Sequence, residues 1–327
     1  MPTSTPPTDG QSPAQSMGGQ PSGNDLVVRL AARGDGVTAD GRYSAMAAPG
    51  DHILPDGTVE HGPHHQTPPC RHYGKCGGCQ LQHVDDAAYA DFLVGRVRGA
   101  LAAQGLACDV VLPPHISPPK SRRRASIKAQ KNGAHLVLGF NEGRSHRIVD
   151  LKQCEILAPQ LFAILPAFRT LLGTLLGRKG AATIDLTLLD NGVDALIRGV
   201  RVDGLAADEA LFDFTTRHPF ARLAIDSGDG PEDRWAPEPA MVRLGDVPVA
   251  MPHAAFLQAT VDGQQALVAA VERAIAPADG GPAGAAPVAD LFAGLGTFAL
   301  ALARNGAVHG VEGARDAVGA MQRAANL

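Results

Sequence analysis

A chain of 327 residues is long enough to bury a substantial core and, at roughly 100 to 200 residues per domain, to hold two or three domains. Its apolar fraction of 45% is ordinary for a globular protein, and no apolar run approaches the roughly 18 residues of a membrane span, which argues against a helical membrane protein. The net charge of −4 excludes a polycation, so any contact with nucleic acid has to come from a local basic patch.

Residues 1–23 have neither a basic start nor an apolar stretch, so they read as a disordered tail rather than a secretory signal, and a cytoplasmic protein is expected. Across residues 24–64 short alternating apolar stretches are broken by Gly, Asp and Pro. That is the pattern of small antiparallel strands with tight turns, and it predicts a small β-barrel. The following GPHHQTPPCRHYGKCGGCQLQH has too few apolar residues to pack unaided, and something must staple it. From Asp85 to Ala103, Tyr89, Phe92, Leu93, Val97 and Leu101 recur at helical spacing. The runs ASIKAQ, HLVLGF, HRIVDL, IDLTLL, ALIRGV and ARLAIDS read as strands and LFAILPAFRTLLGTLL as helix, making residues 65–250 a mixed α+β middle domain. Residues 251–327 change character. A helix through QQALVAAVERAIA and a Pro/Gly/Ala-rich linker lead to a strand PVADLF, a glycine turn, a helix TFALALARNG and a strand AVHGVE, a βαβ opening.

Five cysteines is an odd number, and three of them cluster, which in a reducing compartment favours metal or cluster ligation over disulfides. Cys70, Cys76 and Cys79 form C-x5-C-G-G-C, and Cys154 lies far downstream. Four thiolates complete either a cuboidal cluster or a tetrahedral zinc site, and spacing leaves both open. Cys108 reads as a small buried hydrophobe. His61, His64, His65 and His72 read as loop residues rather than metal ligands. In the glycine loop, Asp290 precedes the turn, Gly294 and Gly296 let a ligand approach the backbone, and Glu312 closes the second strand where an acid can hold ribose hydroxyls. The pattern suits S-adenosylmethionine and also fits a dinucleotide. Lys120, Arg122, Arg123, Arg124, Lys128 and Lys131 form a basic group that suits RNA phosphates or a solvated strand face.

Taken together, C-x5-CGGC-x-LQH, the distant Cys154 after HRIVDL, the segment AAFLQAT, and DLFAGLGTFALALA followed by GVE resemble the bacterial 23S rRNA uracil-C5-methyltransferase family, kin to the tRNA uracil-54 methyltransferases. The resemblance runs from about Leu26 to the last residue. It implies a multidomain α/β protein: an OB-type, TRAM-like barrel for RNA, an α+β central domain with an iron-sulfur cluster, and an incomplete Rossmann-like S-adenosylmethionine methyltransferase domain. By the same resemblance Cys70, Cys76, Cys79 and Cys154 would ligate a [4Fe-4S] cluster, and Gln258, Phe292 and Glu312 would bind the methyl donor. The basic group would face RNA, most directly 23S rRNA, and the helix after the CGGC loop would pack on the methyltransferase domain. No membrane and no obligatory protein partner are expected.

Two positions depart from the family pattern. Thr260 stands where the family usually has Asn in F-x-Q-x-N, and Thr297 where some members carry Asn. The family adds a cysteine thiolate to uracil C6, lets the resulting enolate attack the donor's methyl group, and removes the C5 proton with a base, on a base extruded from its stack. The nucleophilic Cys, the Asp-Pro loop and the Glu base of the family follow the equivalent of Asn326. No catalytic residue is therefore named, and the chain alone is expected to be inactive and, with an open donor domain, poorly soluble. Two other readings compete: a non-catalytic iron-sulfur RNA-binding protein with a vestigial methyltransferase domain, and an iron-sulfur oxidoreductase using NAD.

Overall fold

The computed structural model describes residues 25–276 and 287–326; the expected tail at 1–23 and the linker at 277–286 lie outside the described residues. The chain divides into two compact units, one made of residues up to Gln66 with His83–Ala100, the other of Thr67–Gln82 with everything from Leu101 onward.

In the first unit β1 (Val27–Leu30), β2 (Gly36–Thr38) and β3 (Tyr43–Ser44) form an antiparallel sheet in that order, and β4 (His52–Ile53) pairs with β5 (Val59–Glu60). A Leu26–His52 bridge and a 2.8 Å bond from Val27 N–H to the Asp51 carbonyl join the two ladders. Gly36 is required here, because a Cβ would lie 2.6 Å from the Ala47 carbonyl oxygen. Val27, Ala47 and Ile53 pack as one small apolar cluster, and polar contacts help to hold the unit. The wholly buried Asp51 accepts the N–H groups of Ala48 (2.7 Å) and Gly62 (2.8 Å) and lies 2.7 Å from His65 Nδ1, while the His61 ring stacks on His65 at 3.5 Å. Those histidines are thus structural pieces of the loop. Helix α1 (Asp86–Ala102) falls where the spacing predicts it, but of its residues Ala88 is the buried one, Tyr89, Phe92, Leu93 and Leu101 are half-buried and Val97 is exposed; Asp85 caps it by accepting the Ala88 N–H at 2.8 Å, and Arg96 donates to the Ala32 carbonyl at 3.2 Å.

The second unit is built on a six-stranded sheet. Its elements are β6 (Arg124–Asn132), β7 (His135–Gly139), α2 (Pro159–Ala163), α3 (Leu165–Leu175), β8 (Ala181–Leu189), β9 (Gly192–Arg198), α4 (Leu205–Arg217), β10 (Phe220–Asp226) and β11 (Pro231–Trp235). The order is β11-β10-β9-β8-β6-β7, antiparallel throughout except for β9 and β10, whose parallel pairing needs the α4 crossover. Leu165, Phe168, Leu171 and Leu172 recur at helical spacing on α3 and bury against Ile127, Ile184, Ile197 and Leu223 of the sheet. Each such side chain contributes roughly 1.5–3 kcal/mol by leaving water.

HRIVDL, expected as a strand, makes only an isolated Asn141–Ile148 bridge. Val149 and Leu151 donate to the carbonyls of Phe140 and Leu138, but the Leu138 N–H turns to the Asp150 carboxylate at 3.2 Å, and the ladder stops there. A Cβ on Gly139 would lie 2.0 Å from the Val149 carbonyl oxygen, so the close approach depends on that glycine.

The C-terminal elements are α5 (Val261–Ile275), β14 (Val288–Leu291), α6 (Ala299–Leu302), β15 (Val308–Val311) and α7 (Arg315–Ala325), and a second core within this unit joins the hairpin of β12 (Met241–Leu244) and β13 (Val247–Ala250) to the glycine loop, α6 and α7 through Val242, Leu244, Val249, Leu295, Leu300 and Met321. β14 and β15 run parallel, as a βαβ opening requires. The helix expected across residues 297–306 shrinks to the four residues of α6, because turns occupy the chain on both sides of it. Among the described residues no helix is long and apolar enough to cross a membrane.

Candidate functional site

The carboxyl ends of β14 and β15 lie side by side, in register from Val288 opposite Val308 to Leu291 opposite Val311. Asp290 and Glu312 therefore stand towards the carboxyl end of this parallel pair, the end at which parallel sheets in general bind ligands. Asp290 Oδ2 accepts the Ala299 N–H at 2.9 Å, so the acid before the turn caps the helix after it. Burial pushes the Asp290 carboxyl up, against the pull of that bond. Glu312 Oε2 accepts the Gly294 N–H and Oε1 the Ala314 N–H, each at 2.8 Å, and these donors hold its pKa below the ordinary glutamate value. Gly296, at φ 93°, has no room for a side chain, since a Cβ would meet Leu300 at 2.8 Å; around Gly294 there is open space. Phe292 combines φ 62° with 91% exposure. A bulky residue in the left-handed region is uncommon, and such strain gathers where ligands are held.

The AAFLQAT segment runs from β13 into α5. Thr260 is the N-cap of α5, its hydroxyl accepting the Gly263 N–H at 3.0 Å and lying 2.9 Å from Ser117 Oγ. The Thr-for-Asn departure thus preserves the cap, because both side chains present an oxygen at that position. Gln258 is half-buried two residues earlier.

The basic group is not a uniform solvated face. Arg123 is only 4% exposed and donates to the Gln258 carbonyl at 3.0 Å and to Gln264 Oε1 at 2.7 Å. Arg124 donates to the Leu257 carbonyl at 2.6 Å. Lys131 donates to the Gly173 and Leu176 carbonyls at the end of α3, and Lys128 to Thr183 Oγ1 at 2.9 Å. Arg122 is exposed, while Lys120 pairs with Glu155 at 3.3 Å near the surface. Alternation along β6 carried the signal for basic residues, but not which of them turn inward.

The four cysteines surround one cavity without closing on a common point. Cys70, Cys76, Cys79 and Cys154 all line one cavity of about 200 Å³, with Phe140, Leu151 and Ile156 among the apolar walls. The loop carrying three of them docks on the 141–143 turn through a 2.8 Å bond from Gly77 N–H to the Asn141 carbonyl, where a Cβ on Gly77 would come within 3.0 Å of that oxygen. His72 Nε2 accepts the Lys152 N–H at 3.0 Å, adding a second tie. Burial pushes the Cys79 thiol up to about 11, and the neighbouring thiols push it the same way; Cys76 is raised for the same reasons. Such thiols stay protonated at neutral pH unless a positive charge enters the cavity. Among the described residues no group of three or more His, Cys, Asp or Glu side chains is placed to hold a metal ion as it stands. Cys108 is exposed rather than buried, its Sγ donating to the Val110 carbonyl at 3.0 Å; the short apolar context of GLACDVV had suggested the opposite.

An uncharacterised RNA methyltransferase of Zymomonas mobilis is 44% identical over 301 residues, which are 92% of this chain and 74% of that protein. The chain belongs to the RNA methyltransferase family. Another such methyltransferase, from Caulobacter vibrioides, is 35% identical over 327 residues, again 92% of this chain and 74% of the relative. The 23S rRNA uracil-C5 methyltransferase RlmD of Shewanella halifaxensis is 32% identical over 262 residues, 76% of this chain and 56% of its own. No protein-family model matches. The fold of this RNA methyltransferase is shared with the crystal structure of the Pyrococcus abyssi tRNA (uracil-54, C5)-methyltransferase in complex with S-adenosyl-L-homocysteine, at a TM-score of 0.66 and 20% identity, covering 92% of this chain and 75% of that one.

Proposed function

We propose that this methyltransferase moves a methyl group from S-adenosylmethionine to carbon 5 of a uridine in RNA, with 23S rRNA as the substrate class. The observation that carries the reading is the glycine loop framed by Asp290 and Glu312 at the ends of two parallel strands. Gln258, Phe292 and Glu312 are assigned to the donor, and Asp290, Gly294 and Gly296 shape the loop it lies on. Glu312 stays ionised at neutral pH and so offers acceptors to ribose hydroxyls. The small-stranded first unit is assigned to RNA as a TRAM-like module, together with Lys120, Arg122 and Lys128. The inward-turned Arg123 and Lys131 are left out of that surface.

Cys70, Cys76, Cys79 and Cys154 are assigned to a [4Fe-4S] cluster. Four thiols around a cavity of about 200 Å³ suit a multinuclear core, whereas one zinc ion needs its ligands drawn together around a point. When bound, the cluster supplies a cross-link between the 70–79 loop and the segment at Cys154, and methyl transfer does not pass through it.

Thermal stabilisation separates donor from dinucleotide. S-adenosylhomocysteine at a hundred times its dissociation constant is expected to stabilise the protein by roughly 2.7 kcal/mol, and NADH not at all. Stabilisation by NADH alone would overturn the reading.

A further inference from the structure

We propose that Arg123 and Arg124 are positioning residues for the methyl donor, holding the main chain around Gln258 from the sheet side instead of contacting RNA. This rests on the assignment of Gln258 to the donor. Three consecutive carbonyls of the segment are taken by this one pair: Leu257 by Arg124 Nη1 at 2.6 Å, Gln258 by Arg123 Nε at 3.0 Å, and Ala259 by the Arg123 main-chain N–H at 2.8 Å. The second arm of the Arg123 fork reaches Gln264 Oε1 at 2.7 Å, in the first turn of α5, so one side chain ties the start of β6 to both the segment and the helix it enters. The Arg124 guanidinium also sits 5.1 Å from the ring centroid of Phe256, itself 66% exposed. Upstream, Arg222 donates to the Met251 carbonyl at 3.0 Å while its other nitrogens grip Asp194 at 2.8 and 2.9 Å, so the segment is fixed at both ends.

Stability alone is a poor reason for this arrangement. Arg123 is buried without a carboxylate in ion-pair range among the described residues: its side-chain hydrogen bonds go to the neutral oxygens of Gln258 and Gln264, and Asp190 attracts it only from beyond hydrogen-bond distance. Burying a guanidinium carries a desolvation cost that hydrogen bonds to neutral acceptors offset only in part. What the guanidinium adds is direction: a planar fork that sets two acceptors at fixed angles and thereby fixes where the Gln258 side chain leaves the backbone.

The test uses the full chain with Arg124→Gln, Arg123→Met and Arg123→Lys, S-adenosylhomocysteine binding by calorimetry, RNA binding by anisotropy across a salt series, and melting temperature. Arg124→Gln, at a partly exposed position, is expected to weaken S-adenosylhomocysteine about tenfold while RNA affinity and its salt slope stay unchanged. Arg123→Met is expected to weaken it further, and Arg123→Lys, which keeps one donor, to recover part of the loss. A drop in the RNA salt slope by about 1 with donor binding intact would make Arg124 a phosphate contact and overturn the proposal. A lower melting temperature for Arg123→Met with unchanged donor affinity overturns it too. If the wild-type chain binds no S-adenosylhomocysteine, the functional reading fails and this proposal with it; wild-type binding with unaffected variants sinks the proposal alone.

Discussion

Glu312 shows how much one carboxylate can organise. Its two oxygens accept N–H groups from opposite sides, Gly294 in the glycine loop and Ala314 at the head of α7, so the loop and the end of β15 share one anion. In Glu312→Gln the amide oxygen can replace only one of these acceptors, and its NH2 opposes the other donor. S-adenosylhomocysteine affinity is expected to fall about tenfold by calorimetry with the fold retained by circular dichroism. The folded pKa is depressed, so the carboxylate's contribution is fully present above the ordinary glutamate value of 4.5 and is lost as pH falls through the lower folded value. Donor affinity measured across an acid series should therefore hold constant down to that ordinary value and weaken only below it. A loss centred near neutrality would point to a different titrating group.

At the scale of elements, the passage from β13 into α5 is held by its cap. The Thr260 hydroxyl accepts from Gly263, and removing it in Thr260→Val should destabilise the chain by about 1 kcal/mol and lower the melting temperature by roughly 2–4 °C. Thr260→Asn keeps a side-chain oxygen and is expected to melt within about 1 °C of the wild type, on capping grounds. Equal losses in both variants would remove the cap from the explanation. The strong apolar periodicity of α3, the span of α1 and the strand-like runs within β8, β9 and β10, broken by single polar residues such as Asp185, Asp194 and Arg222, are legible in the sequence. The β12–β13 hairpin, α4 and α7 were not read. α7 buries Ala317, Ala320, Met321 and Ala324, a correct helical spacing carried mostly by alanines whose apolar signal is weak. α4 is exposed over most of its surface and owes its place to the crossover that the parallel β9–β10 pair demands.

Over the whole molecule, residues distant in sequence converge at the cysteine cavity, where a loop with little apolar content docks on the segment that follows β7. Cys154→Ala is expected to reduce iron in anaerobically purified protein from about four atoms per chain to near zero, with loss of visible absorbance. Full iron content in that variant would exclude Cys154 as a ligand, and zinc in place of iron in the wild type would exclude the cluster. The sequence by itself determined the motif spacings, the βαβ opening and the residue types at the donor loop, because these depend on neighbours a few positions apart. Only the tertiary structure decided which basic residues turn inward, where HRIVDL leaves the ladder at Asp150, and that Cys108 is exposed while the other four cysteines share a cavity. The physical reason is that alternation along β6 says which residues share a face. It does not say that Gln258, more than a hundred residues away, will bring its carbonyl to Arg123 and make a buried guanidinium worth its desolvation.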